Sequence, residues 1–135
     1  MQQPIMMNNP QDAYRKQGIL TASPMELVLM LYDGCRKNVL KAQLAMQKGK
    51  VETAHNSLVK AQDILMELVN CLDLSLPISE QLIGVYEFML TAVAMANIQK
   101  DPEHLNVVLE MLTELRDTWQ QVSDQQRGNL SLKED

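Results

Sequence analysis

Residues 51–72 read VETAHNSLVKAQDILMELVNCL, and the spacing of their apolar side chains decides the fold. Val51, Ala54, Leu58, Ala61, Leu65, Leu68 and Leu72 recur at intervals of three, four, three, four, three and four residues. An α-helix turns by about 100° per residue, so positions three and four apart fall on one side of it. The set therefore forms one continuous stripe, the seam by which a helix joins a bundle.

The flanking segments repeat the pattern. Upstream, Ser23-Pro24-Met25-Glu26 has the form of a capping box, with proline at the first helical position, where its missing N–H costs nothing. The helix it opens runs to about Lys48 and stops at Gly49, a natural residue for the position after a helix end. Lys41 and Lys48 fall in its later turns, where cations suit the negative end of the helix. Downstream, Leu74 to Pro77 breaks the second helix. A third, with Ser79 as its N-cap, runs to about Lys100 with Leu82, Tyr86, Met89, Val93 and Ala96 at four, three, four, three. Asp101-Pro102-Glu103 then supplies an acidic cap, a first-position proline and a first-turn acid. Leu105, Val108, Leu112, Leu115, Trp119 and Val122 form the fourth seam. Short connections make successive helices antiparallel. The prediction is an all-α chain: an antiparallel up-down-up-down four-helix bundle over residues 23–123. Residues 1–22 form a flexible arm with a short helical turn over Gln11–Gln17, and residues 124–135 a disordered tail.

Bulk properties agree. The chain has 135 residues, enough for one domain, and aromatics make up only 4%, so the core is aliphatic. Its net charge of −5 with no basic face argues against nucleic acid, whose phosphates demand one. Cys35 and Cys71 fall within apolar helical patterns and read as small buried hydrophobes of a reducing cytosol. The N-terminal MQQPIMMNNP lacks the basic and apolar regions of a secretion signal. The most apolar run, Leu82 to Ile98, is short and carries Glu87, so stable membrane insertion is not expected.

The apolar content exceeds what the seams use. The first helix contains six apolar residues in a row, Leu27 to Tyr32, which go right round it. Beyond a stripe of Leu27/Val28, Leu31, Cys35, Val39, Ala42 and Met46, it has Leu29, Met30, Leu40 and Leu44 to spare. The second has Ile64, Met66 and Val69, and nearly every residue of the third from Leu82 to Ile98 is apolar. A wider core stripe absorbs part of the surplus in the first two helices. In the third the surplus points to exposed apolar surface, the mark of a partner site. Small residues there (Gly84, Ala92, Ala94, Ala96) admit a close helix, and ten methionines supply adaptable surface.

Catalytic chemistry finds no support. A di-metal carboxylate bundle needs Glu-x-x-His on two helices and a Glu on each of the others. Glu52-x-x-His55 and Asp101-x-x-His104 lie at one end of the bundle, but the adjacent ends of the first and third helices offer Arg36, Lys37, Lys41, Lys48 and Lys100 and no acid. Glu52 also falls off its seam. These residues read as solvated surface and caps. There is no phosphate-binding glycine loop, Cys/His cluster or nucleophile elbow. Asp33 has no His or second acid at helical spacing, and Trp119 reads as core. No enzyme activity, metal or cofactor is expected.

Taken in order, the motifs resemble a known family. Ala13-Tyr14 is followed by Thr21-Ala22-Ser23-Pro24-x-Glu26-Leu27 and Leu29-Met30-Leu31-Tyr32-Asp33-Gly34. Then come Lys60-Ala61-Gln62-Asp63-Ile64, Glu67-Leu68, Tyr86-Glu87-Phe88-Met89, Ala96-Asn97-x-x-Lys100-Asp101 and Leu115-Arg116-Asp117-Thr118-Trp119. Over about residues 11–122 the chain resembles the flagellar secretion chaperones of the FliS family. That resemblance implies a cytoplasmic helical bundle that binds the C-terminal segment of flagellin, prevents its premature polymerisation and helps deliver it to the flagellar type III export gate. It also implies a mobile N-terminal arm that can cover the groove and contributes to partner contacts. The groove residues expected are Met30, Ile64, Leu68, Ile83, Tyr86, Met89 and Leu90, with Tyr14, Ile19 and Leu20 on the arm. Family members often carry basic residues just after the Tyr86–Met89 block, where this chain has Leu90-Thr91-Ala92-Val93. An alternative is a homo-oligomeric bundle whose extra apolar surface is self-interface; a homodimer without cargo fits either reading.

Overall fold

The computed structural model describes residues 24–134. The expected arm, with Tyr14, Ile19, Leu20 and the capping serine Ser23, lies outside the described residues. Four α-helices run as α1 (Pro24–Gln47), α2 (Val51–Asn70), α3 (Pro77–Gln99) and α4 (Asn106–Glu134), with a 3-10 turn at Pro102–Leu105 before the last. No strand occurs among the described residues, and the fold is the all-α four-helix bundle that the seams predict.

Each connection has a local chemical cause. Gly49 takes φ 72°, a left-handed conformation that costs glycine little, and so lets Lys50 N–H reach Ala45 O and Gly49 N–H reach Met46 O. Between α2 and α3, Asp73 accepts from the backbone N–H and the hydroxyl of Ser75, and these bonds hold its carboxyl below the usual range. Ser79 is not the N-cap. The helix starts two residues earlier on Pro77, and the buried Ser79 hydroxyl instead donates to Asp73 O, tying the loop to α3. After α3, Lys100 occupies the left-handed position, and Asp101 caps the next turn by accepting from Glu103 N–H at 3.0 Å. The helix then continues to Glu134, through the segment expected to be a disordered tail. Ser123 is buried, Gln120 donates to Asp124 and Arg127 reaches Glu26, so the last turns have partners that hydrophobic period alone does not reveal.

The helices pack in the order α3, α2, α1, α4, with α3 and α4 touching at only a few points. Pairs across the seams fix the antiparallel register: Asn97 with His55, Gln43 with Asn106, and Arg116 with Asp33. The core contains Leu31, Cys35, Val39 and Ala42 of α1, and Leu58, Ala61, Leu65 and Leu68 of α2. It is completed by Leu82, Met89, Val93 and Ala96 of α3, and Leu105, Val108 and Leu112 of the last segments. Across its diagonal the Tyr32 and Tyr86 hydroxyls bond at 2.6 Å, with ring centroids 6.5 Å apart. Leu29, counted as surplus in the sequence, is buried, as is Tyr32, whereas Val51, counted in the seam, is 57% exposed. Cys35 is buried, but Cys71 is exposed at the end of α2, against expectation.

The buried hydroxyl pair generates two expectations. Tyr32→Phe strands the Tyr86 hydroxyl and should cost roughly 1–3 kcal/mol, while Tyr32→Phe/Tyr86→Phe should cost less than the two single changes combined, as read from urea unfolding midpoints. Burial pushes the Cys35 thiol up to about 12 and raises both tyrosine hydroxyls above their ordinary value of 10.0. These groups ionise first in the unfolded chain, so they favour the fold at neutral pH and lose that contribution as pH rises. Stability should hold to about pH 9 and fall beyond it, less steeply in the double Phe variant; a curve still flat at pH 11 would contradict this.

Candidate functional site

The site follows from a taper in side-chain size. At the end where α3 joins α4, the facing residues are small: Ala42 and Ala45 of α1, Ala54 and Ser57 of α2, Ala96 of α3. At the other end stand Tyr32, Leu65, Leu68 and Tyr86. There the two aromatic rings stand between α1 and α3, α4 packs on α1, and α3 and α4 touch at only a few points.

The gap is an open apolar cleft of about 520 Å³. Ile78, Leu82 and Val85 form the α3 wall. Met111, Leu115, Trp119 and Val122 form the α4 wall, with Glu114 and Thr118 among them. Trp119 belongs to both the cleft and its support. Burial raises the Tyr32 hydroxyl most, the neighbouring Tyr86 adds to that, and the Trp119 indole N–H opposes it as a donor. Outside the cleft, the outer side of α3 carries Phe88, half exposed, and Ile98, 76% exposed. A side chain added at Gly84 would meet open space. By length and composition α3 is also apolar enough to cross a membrane, the only such helix among the described residues.

The residues expected to line the groove divide. Ile64, Leu68, Tyr86 and Met89 are buried in the core and offer no surface in this conformation. Met30, Ile83 and Leu90 are partly exposed. Tyr14, Ile19 and Leu20 lie outside the described residues. The α4 wall was missed because Leu115, Trp119 and Val122 continue the spacing of the buried Leu105, Val108 and Leu112 without a break. The sequence signal for it was the taper in α1 and α3, tyrosine (Tyr32, Tyr86) towards one end and alanine (Ala42, Ala45, Ala96) towards the other.

The residues with catalytic potential are otherwise engaged. His55 bonds Asn97 at 3.0 Å, and His104 lies 2.7 Å from Gln99 Oε1 and 3.6 Å from Asp101. Asp33 pairs with Arg116 at 3.1 Å across α1 and α4. No group of three or more metal-ligating side chains occurs among the described residues. An all-α bundle with an open apolar cleft has the form of a module that binds an apolar helix.

Comparison with known proteins names the class. A family model described as "Flagellar protein FliS" matches residues 6–126. The chain is 35% identical over 121 residues to the flagellar secretion chaperone FliS of Bacillus subtilis, covering 90% of this chain and 91% of that one. It is 31% identical over 122 residues to the corresponding protein of Vibrio cholerae, covering 86% and 90%. To that of Salmonella typhimurium it is 27% identical over 114 residues, covering 80% and 82%. The chain belongs to the FliS family, a family of flagellar secretion chaperones.

An uncharged environmental dye should report the cleft. Trp119 is the chain's only tryptophan, so energy transfer from it to a bound apolar dye reads this site specifically. Val85→Glu/Leu115→Glu should weaken dye binding about tenfold or more while leaving helicity unchanged, because a carboxylate in an apolar cleft is poorly solvated.

Proposed function

We propose that this protein is a cytoplasmic, non-enzymatic export chaperone that takes the C-terminal helical segment of flagellin along the cleft between α3 and α4. Covering that segment's apolar face prevents premature polymerisation, and the complex is delivered to the flagellar type III export gate. The observation that carries the reading is an apolar cleft left open in a chain whose relatives are called flagellar secretion chaperones. Leu82, Val85, Leu115 and Trp119 would contact the client, with Ile83 and Leu90 on adjoining surface. In this reading Tyr14, Ile19 and Leu20 add contacts with the client.

The exposed Phe88 and Ile98 favour a second reading for the cargo-free chain, association through the outer side of α3. Sedimentation separates the two. A monomer, or a dimer that opens with flagellin peptide, fits the chaperone; an oligomer indifferent to concentration and peptide fits assembly.

Calorimetric titration with a flagellin C-terminal peptide should give a negative heat-capacity change, the mark of apolar burial. Val85→Glu/Leu115→Glu should weaken binding about tenfold or more. No binding at peptide concentrations of about tens of micromolar, the range of modest affinities, would overturn the proposal.

A further inference from the structure

The outer side of α1 carries a second surface, unrelated to the cleft. Five of the chain's 12 Lys and Arg residues lie between positions 36 and 50, namely Arg36, Lys37, Lys41, Lys48 and Lys50, and none of its 17 Asp and Glu residues does. In a chain of net charge −5 this is a pronounced local excess. Among the described residues none of the five has an ion-pair partner, whereas Arg116 and Arg127 pair with Asp33 and Glu26 towards the other end of α1.

These cations frame apolar surface. Lys37, Leu40, Lys41, Leu44 and Lys48 fall within an arc of about 100° and span about 16 Å of helix. All five are exposed, Leu44 by 54%, while Val39, Ala42 and Ala45 on the opposite side enter the core. A single exposed leucine is ordinary on a protein surface. Two stacked one turn apart, with the unpaired Lys37, Lys41 and Lys48 along one side and Arg36 on the other, make a surface of defined chemistry.

We propose that this side of α1 docks an acidic amphipathic helix of a protein partner. Apolar side chains of the partner cover Leu40 and Leu44, whose i, i+4 spacing matches a helical ligand. Flanking Asp or Glu side chains meet Lys37, Lys41 and Lys48, so the charges fix register and speed encounter. Glu110 and Glu114 of α4 border a shallow depression of about 380 Å³ beside Arg36 and Leu40. An anionic lipid surface would be repelled along that edge, whereas a helix of limited width avoids it.

The test titrates the full-length chain with a labelled synthetic helix bearing leucines on one side and flanking glutamates, followed by fluorescence anisotropy. Binding should weaken about tenfold or more in Lys37→Glu/Lys41→Glu, fall as salt is raised, and survive Val85→Glu/Leu115→Glu. Leu40→Ser/Leu44→Ser should weaken it with little change in salt dependence. No binding, equal binding of a helix with lysines in place of the glutamates, or indifference to the α1 variants would overturn the proposal. So would charge-dependent capture on phosphatidylglycerol vesicles without peptide binding. A dimer of the free chain that Lys37→Glu/Lys41→Glu dissolves would likewise assign the surface to a second copy instead.

Discussion

The bond between the Tyr32 and Tyr86 hydroxyls, 2.6 Å long and closed off from solvent, sets the shape of this molecule. It joins α1 and α3, the helices that face each other across the core and whose backbones do not pack together. Two aromatic rings laid end to end keep those helices apart at one end. Alanines at the other end let all four converge. On the α3–α4 side the helices touch at only a few points and leave the apolar cleft.

A buried hydroxyl pair is a demanding way to hold two helices. Both hydroxyls are buried, and phenylalanine at position 32 removes the side-chain partner of Tyr86. An aliphatic pair would fill the space without fixing how the two rings meet. The tyrosines set a direction as well as a distance, and the Trp119 indole beside Tyr32 links that arrangement to the α4 wall of the cleft. The support and the binding surface therefore share residues.

The bundle was legible in the sequence because seam spacing reports which side of a helix faces inward. The α3 seam, Leu82 to Ala96, is buried throughout, and the α2 seam is buried from Ala54 to Leu68. Spacing does not report how far apart two helices stand. Leu115 and Trp119 have the same period as Leu105 and Leu112, yet the first two line a cleft and the last two are fully buried. For the same reason period does not show that Ile64, Leu68, Tyr86 and Met89, expected in the groove, are buried in this conformation. Val51 was counted in the core because it keeps the period, but it begins α2 just past the Gly49 turn, and it is exposed there. Leu29 and Tyr32, inside a run apolar on every side, gave no clue from period as to which would be covered.

The central claim is that the wedge between α1 and α3 leaves a cleft that receives an apolar helix of flagellin. Isotope-filtered nuclear Overhauser measurements on the labelled chain with an unlabelled flagellin C-terminal peptide test it directly. The account predicts contacts from peptide methyl groups to the Trp119 indole and to the methyls of Val85 and Leu115. A bound peptide whose contacts fall on other faces, with Trp119 silent, would contradict it.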